Sequence, residues 1–206
     1  ALPLLEFPGE FIQIPYEDQW MPAYFFKPDK NQQKSKTVIL MTGFDGSGEE
    51  LYFECARGAL DRGYNVLIFE GPGQTGMLRF HPQIKFRPDY EYPISHAIDY
   101  VLSRPEVDPE KLALYGISLG GYFATRGTAF DKRVRALIAN SPVIDLYAYL
   151  AAFIGPDQLN EDASLEDIDL LPDSIIPKIV KLQMKMTCYK FGVQSHLAYL
   201  NLFKDY

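Results

Sequence analysis

The chain has 206 residues and a formal net charge of −7, with 27 acidic against 20 basic side chains. About 47% of the residues are hydrophobic and 14% are aromatic, which excludes a disordered chain and predicts one globular domain, with or without an insertion. The acidic balance argues against binding of nucleic acid. The sequence has no uncharged apolar run of about 18 residues, so we expect no membrane-spanning segment and no membrane partner. Because no targeting motif is visible, the default location is cytoplasmic.

The excess negative charge lies in residues 155–177, which hold seven acidic side chains and no basic one. This segment is predicted to be a solvated loop, and a patch that attracts cationic substrates is the alternative. The two cysteines, Cys55 and Cys188, are too few for a disulfide scaffold or a cysteine-only zinc site. We expect both thiols to be buried, and we expect neither a metal nor a cofactor.

The first elements along the chain are two short strands, Phe11–Glu17 and Met21–Lys27, joined by a turn. Pro15 and Pro22 favour a position at the edge of a sheet, because proline cannot donate to a strand ladder.

Beyond this hairpin, buried strands and helices alternate. The predicted strands are Thr37–Thr42, Tyr64–Glu70, Leu112–Ile117 and Val134–Asn140. The predicted helices are Ser47–Arg62, Glu91–Ser103 and Leu119–Phe130. No helix is predicted directly after the turn Gly71-Pro72-Gly73. The alternation predicts an α/β fold with a mainly parallel, doubly wound sheet.

The pattern changes near residue 145. An apolar helix, Asp145–Ile154, precedes the acidic segment, and an amphipathic helix, Ile175–Tyr189, follows it. We therefore divide the chain into an incomplete α/β core over residues 1–144 and a helical lid insertion over residues 145–206. A solvated face of the second helix is predicted to carry three lysines, Lys178, Lys181 and Lys185.

One motif carries the clearest chemical signal. The segment Gly116-Ile117-Ser118-Leu119-Gly120 matches G-x-S-x-G where a buried strand passes into a helix. A serine at such a turn is held in a strained backbone conformation, and Gly116 and Gly120 lack the Cβ atoms that would clash there. The start of the following helix also favours a developing anion.

An oxyanion requires two preset donors. One is predicted to be the backbone N–H of Leu119, directly after Ser118. The other is predicted to come from the loop after the first buried strand, where Phe44 has the best position and Asp45 is the alternative. Plain turn chemistry in this loop is the competing interpretation.

Three further segments accompany these residues: T-G-F-D-G-S-G-E-E at 42–50, E-G-P-G-Q-T-G at 70–76 and S-P-V-I-D at 141–145. With them, the chain resembles the α/β-hydrolase superfamily. It is most similar to the branch that holds 2,6-dihydroxypseudooxynicotine hydrolase, acylaminoacyl-peptidase-like proteins and fungal polyketide-shortening hydrolases. The resemblance implies that Ser118 attacks an ester, an amide or an activated C–C bond and forms an acyl-enzyme.

The family pattern continues from the serine to an Asp or Glu and then a His, both after later strands. Here the one later histidine, His196, is expected to be a lid residue. His81 and His96 precede the serine, and His81 is a candidate pocket residue. Asp145 is predicted to cap a helix rather than to serve as the triad acid. We expect the 206 residues alone to be inactive, because a serine without a base is a poor nucleophile.

Two kinds of partner follow from this interpretation. The fourth buried strand would be an apolar sheet edge, so we expect the remaining part of the hydrolase domain, or a second chain, to cover it. Large side chains in the lid suggest a small apolar or aromatic carbonyl substrate, and ordinary core packing is the competing explanation. These side chains are Phe153, Met184, Met186, Tyr189 and Phe191. The alternative function is that of a non-catalytic α/β-hydrolase-fold protein with a binding or regulatory role.

Overall fold

The computed structural model describes residues 2–29, 34–154 and 164–204. Two compact units divide the chain. The first comprises residues 1–84 and 90–142, and the second comprises residues 85–89 and 143–206. Within the described residues, no helix is both long enough and apolar enough to cross a bilayer. The roles of 1–144 as a catalytic core and of 145–206 as a lid remain predictions.

A single six-stranded sheet organises the first unit, in the order β1-β2-β4-β3-β5-β6. Its strands are β1 (Gly9–Tyr16), β2 (Gln19–Phe26), β3 (Ser35–Met41), β4 (Asn65–Phe69), β5 (Val107–Ile117) and β6 (Ala136–Asn140). Strands β4, β3, β5 and β6 are parallel, whereas β1 and β2 form an antiparallel hairpin that joins the sheet through β4. The mainly parallel α/β fold predicted from the sequence is confirmed.

Of the two prolines in the β1–β2 hairpin, one lies at an edge of the sheet. Pro15 is in the edge strand β1, as expected. Pro22 is in β2, which lies between β1 and β4, so the predicted edge position is wrong for this residue. Proline is tolerated there because the β2–β4 ladder ends at Ala23 and the Pro22 carbonyl still accepts the Glu70 N–H at 3.0 Å.

The helix after β3 begins at a capping box. The Ser47 side chain accepts the Glu50 N–H, and the Glu50 side chain accepts the Ser47 N–H. The predicted single helix comprises α1 (Gly48–Leu51), a π-helical turn (Tyr52–Ala56) and α2 (Arg57–Leu60). Gly63, with φ of 77°, follows its end as expected.

Three further helices complete the first unit: α3 (Thr75–Phe80), α4 (Glu91–Leu102) and α5 (Leu119–Phe130). The expectation of no helix after Gly73 is wrong, because α3 begins two residues later. Pro72 and Gly73 form a turn closed by a hydrogen bond from the Gln74 N–H to the Gly71 carbonyl, and this turn leads into the helix. Six residues are too few to show a helical repeat in the sequence.

The core lies on both faces of the parallel strands. All five residues of β4 are buried. On one face, Val38, Leu40, Val66 and Ile68 form a cluster with apolar side chains of the α1–α2 helix, including Leu51. Helices α4 and α5 pack against each other and against β5. Burying each such aliphatic side chain contributes about 1.5–3 kcal/mol, which makes these strands a firm base for the loops at their carboxyl ends.

Strand β6 is exposed rather than buried. Its side chains include Leu137, 37% exposed, and Ile138, 51% exposed. The expectation of a fourth buried strand is therefore wrong for this chain by itself, because within the described residues no strand pairs with the outer side of β6.

The second unit contains four described helices: α6 (Leu146–Ile154), α7 (Leu165–Leu170), α8 (Lys178–Phe191) and α9 (His196–Leu202). Residues 155–163 of the acidic segment lie outside the described residues, and the rest of that segment contains α7 rather than a continuous loop. Lys181 is buried and donates to the carbonyl of Leu171 and to the Asp173 carboxylate, so its predicted place on a solvated face is wrong. It satisfies a carbonyl just past the end of α7.

Candidate active site

Ser118 lies at the sharp turn between β5 and α5. Its backbone has φ of 57° and ψ of −124°, a conformation that is costly for any residue with a side chain. Its N–H donates to the carbonyl of Asn140 at 2.9 Å, and its own carbonyl accepts the Gly121 N–H at 2.8 Å. The residue is exposed although its neighbours Leu119 and Gly120 are buried. The turn therefore leaves Ser118 accessible to solvent.

The two glycines of the motif lie where no side chain fits. A Cβ on Gly116 would overlap the carbonyl group of Gly120, and a Cβ on Gly120 would overlap the carbonyl of Thr42. Both obstructing groups belong to the backbone, which cannot move aside cheaply. The close contact lets α5 start directly against β5 and β3, and this is the physical reason for the glycine spacing around Ser118.

The loop after β3 lies beside this turn. A Cβ built on Gly43 would stand 3.0 Å from the Ser118 Cβ and 3.3 Å from the Leu119 nitrogen. The next two residues differ in exposure, since Phe44 is half-buried and Asp45 is exposed. The structure thus brings Gly43, and the peptide that links it to Phe44, to Ser118 and Leu119. The roles of the Phe44 and Leu119 N–H groups as oxyanion donors remain a proposal.

A second loop, residues 70–76, supports the first. The Gln74 side chain is fully buried, and it donates to the Thr42 carbonyl at 2.6 Å and accepts the Gly71 N–H at 2.7 Å. The Glu70 carboxylate is also buried and accepts the Gly76 N–H at 2.7 Å. No role for Glu70 or Gln74 was predicted from the sequence. The sequence does carry a signal for these two residues, because both are polar and they flank a Pro-Gly turn directly after a buried strand.

The histidines occupy separate places. His81 is buried with its ring 4.8 Å from that of Trp20, and its Nε2 has no hydrogen-bond partner among the residues that the structure describes. His96 lies on α4, where its Nδ1 is 3.2 Å from the Pro15 carbonyl oxygen. In the described part of the chain, neither ring is hydrogen-bonded to Ser118. His196 is the first residue of α9. A pocket role for His81 remains a prediction.

Asp145 caps a helix. Its carboxylate accepts the Ala148 N–H at 2.7 Å, and its carbonyl accepts the Tyr149 N–H at 3.0 Å. This geometry confirms the predicted N-cap at the start of α6. Among the described residues, no group of three or more His, Cys, Asp or Glu side chains has an arrangement suited to holding a metal ion.

The cysteines differ from each other. Cys188 is buried, but Cys55 is only partly buried, so the expectation of two buried thiols is half right. Cys55 belongs to the π-helical turn, whose outward face is partly open to solvent. Burial raises the pKa of the Cys55 thiol to about 11, and it also raises the pKa of Cys188. Neither thiol is activated as a nucleophile would be.

The sheet order, the parallel central strands and the strand–serine–helix turn define an α/β-hydrolase fold. Residues 52–166 match the prolyl oligopeptidase family, and the chain belongs to this family. These residues include the β5–Ser118–α5 turn described above.

Two relatives of the chain are fungal proteins. The chain is 40% identical over 152 residues to a 20-hydroxy-prefusarin hydrolase, FUS2, of Gibberella moniliformis, covering 70% of this chain and 36% of that protein. It is 34% identical over 197 residues to the hydrolase ORFZ of Pyricularia oryzae, covering 91% of this chain and 45% of that protein. The chain therefore spans less than half the length of these two relatives.

Among solved structures, 2,6-dihydroxy-pseudo-oxynicotine hydrolase has the same fold. It superposes with a TM-score of 0.69 at 24% sequence identity, covering 98% of this chain and 48% of that one. The similarity extends through both compact units. At this level of identity it establishes the fold, and the chemistry has to be argued from the site.

Proposed function

We propose that the complete protein is a serine hydrolase in which Ser118 is the nucleophile. One observation carries this proposal: Ser118 is exposed at a strained strand-to-helix turn, with glycines at both flanking positions where backbone contact forbids a side chain. Ser118 is exposed although Leu119 and Gly120 after it are buried, so the strained turn holds the serine where a substrate can reach it. Strain at an exposed serine is typical of a nucleophile.

The proposed reaction has two steps. The Ser118 oxygen attacks a carbonyl carbon as a base removes its proton, and the tetrahedral oxyanion accepts hydrogen bonds from the N–H groups of Leu119 and Phe44. The leaving group departs with that proton and an acyl-enzyme remains. Water then releases the acid and restores the serine. Support for the donor positions comes from the packing of Gly43 against Ser118 and Leu119.

The base and its orienting acid are proposed to come from the remaining part of the hydrolase domain, which would also cover β6. Two observations support this: the chain spans less than half of its two relatives, and β6 exposes Leu137 and Ile138. The substrate is proposed to be a small apolar or aromatic carbonyl compound, with an ester, amide or activated C–C bond. The relative FUS2 is named a 20-hydroxy-prefusarin hydrolase, which supports hydrolysis as the class of reaction.

A fluorophosphonate probe tests the proposal on the complete protein. Intact-mass analysis should show one adduct, which peptide mapping assigns to Ser118. The variant Ser118→Ala should lose both the adduct and ester hydrolysis. Ser141→Ala is the matched control, because Ser141 also follows a strand with a positive φ, 50°, and it should be labelled like the native protein. Absence of any adduct on the native protein would favour the non-catalytic, ligand-binding alternative.

A further inference from the structure

Two loops with different parent strands are joined beside Ser118. The loop of residues 42–48 runs from β3 into the first residue of α1, and the loop of residues 70–76 runs from β4 into the first two residues of α3. The Gln74 amide links them, because its Nε2 donates to the Thr42 carbonyl at 2.6 Å and its Oε1 accepts the Gly71 N–H at 2.7 Å. Gln74 is fully buried, so water does not compete for either bond.

A second bond joins the same loops. The Thr75 hydroxyl donates to the Asp45 carbonyl at 3.3 Å. The two carbonyls held in this way, those of Thr42 and Asp45, stand on either side of Gly43 and Phe44. The short stretch of backbone beside Ser118 is thus tied to the 70–76 loop at both ends.

The backbone of Gly43 and Phe44 needs hydrogen bonds from another segment to fix its conformation, because of the glycine. A Cβ at this position would lie 3.0 Å from the Ser118 Cβ and 3.0 Å from the Ile117 carbonyl oxygen, closer than an ordinary contact, which favours glycine. Glycine leaves the backbone dihedral angles permissive, and the peptide plane that carries the Phe44 N–H follows directly. Anchoring the preceding peptide, whose oxygen is the Thr42 carbonyl, removes much of that freedom.

We propose that Gln74, assisted by Thr75, is a positioning residue that sets the direction of the Phe44 N–H toward the oxyanion. The inference rests on the proposed function, since it requires that an oxyanion form at Ser118. Gln74 acts through the backbone and contacts no substrate. A glutamine suits the position because one amide supplies both the donor for Thr42 and the acceptor for Gly71.

The variant Gln74→Leu removes both bonds at similar volume. In the complete protein we expect the second-order rate of fluorophosphonate labelling to fall about 10–100-fold, somewhat less than the loss of a whole oxyanion donor. For a p-nitrophenyl ester, kcat should fall by a similar factor while KM changes little. Thr75→Val, at an exposed position, should fold normally and lower the labelling rate by a smaller factor.

The matched control is Asn65→Leu. Asn65 is also a fully buried amide that bridges elements, donating to the Thr37 hydroxyl at 3.3 Å and to the Glu106 carbonyl at 2.8 Å. It begins β4, at the end of the sheet opposite to Ser118. This variant should lower the Tm as Gln74→Leu does and leave the labelling rate of the folded protein unchanged.

The variant Gln74→Glu provides a readout that mere destabilisation would not produce. A protonated Glu at this position can donate to Thr42, whereas its carboxylate cannot and would repel that carbonyl. The labelling rate of Gln74→Glu relative to native protein should therefore fall as pH rises and recover as pH falls. Glutamine does not titrate, so the native protein supplies the reference at each pH.

The results separate the inference from the proposed function. Slow labelling in Gln74→Leu and Thr75→Val, normal labelling in Asn65→Leu and a pH-dependent Gln74→Glu would support it. Native labelling rates in the Gln74 variants, or equal losses in Asn65→Leu, would overturn the positioning role and leave Ser118 as the nucleophile. A native protein that the probe never labels would overturn both.

Discussion

The backbone N–H of Ser118 donates to the carbonyl oxygen of Asn140, the last residue of β6, at 2.9 Å. The strained serine is therefore held from two sides, by its own strand β5 and by the neighbouring end of β6. Any change in β6 that shifts Asn140 also shifts Ser118. The exposed strand is for this reason part of the support of the candidate site.

Ile138 tests whether β6 is covered in the complete protein. Ile138→Lys should lower the free energy of unfolding of the complete protein by about 2–4 kcal/mol, because a lysine would then be buried without a partner. Urea unfolding measures the loss, and Ile138→Val should cost at most about 1 kcal/mol. Equal stability of the two variants would mean that the face of β6 that carries Ile138 is open to solvent.

Two helical glycines should respond in opposite directions to alanine. At Gly120 the new Cβ would overlap the Thr42 carbonyl, so Gly120→Ala should cost more than the roughly 1–3 kcal/mol of ordinary overpacking. At Gly58 in α2 the nearest atom, of the Arg62 side chain, is at an ordinary 3.5 Å. Gly58→Ala should therefore stabilise by about 0.5–1 kcal/mol. Thermal unfolding of both variants checks the contrast.

Asp131, directly after α5, pairs with Arg133 and should make stability depend on pH. Hydrogen bonds from the Arg133 side chain, one of 2.6 Å, hold the pKa of the Asp131 carboxyl below its ordinary value. The resulting stability is present above about pH 4, the unfolded value, and is lost as pH falls through the lower folded value.

Asp131→Asn should therefore cost about 1–3 kcal/mol at pH 7, and its deficit against native protein should shrink in acid. Urea unfolding midpoints at a series of pH values measure this. Glu110→Gln, in an exposed pair with Arg135, is the control and should change stability little. A deficit that is constant with pH would contradict the assignment.

Cys55 should react slowly with alkylating reagents. With a pKa of about 11, only about a thousandth of the thiol is thiolate at pH 8, against about a quarter for a free cysteine. Iodoacetamide labelling of Cys55 in a Cys188→Ser background should accelerate about tenfold per pH unit from pH 8 to 10. Glu54→Gln, which removes a neighbouring negative charge, should speed labelling at fixed pH. A rate that levels off near pH 9 would show an ordinary thiol.

The elements around Ser118 were predictable because local residues decide them. Helix α5 spans Leu119–Phe130, the predicted bounds, because the serine turn fixes its start. The Asp145 cap was likewise predictable, since its hydrogen bond joins residues only three apart. Strand β5 extends further back than predicted, to Val107, through polar residues that show no alternation.

Interactions between distant residues could not be predicted from the sequence. Gln74 and Thr42 are 32 residues apart, and nothing local indicates that their loops meet. The burial of Lys181 depends on carbonyls at the end of another helix. The exposure of β6 depends on what lies on its outer side, which no pattern within the strand specifies. For Gln74 and Lys181, the deciding partner comes from elsewhere in the chain.

The π-helical turn between α1 and α2 has a consequence for how this helix tolerates change. Leu51, Ala56 and Leu60 are all buried, although a five-residue step in a regular α-helix would turn a side chain about 140° away from the first. The π-helical turn contains more residues than an α-helical turn, so the side chains after it rotate back to the side of the helix that carries Leu51. The buried side chains before and after the turn therefore both face the sheet. We therefore expect that the insertion or deletion of one residue costs less stability at this turn than elsewhere in the helix. The Ser47 cap and the start of β4 would both be preserved.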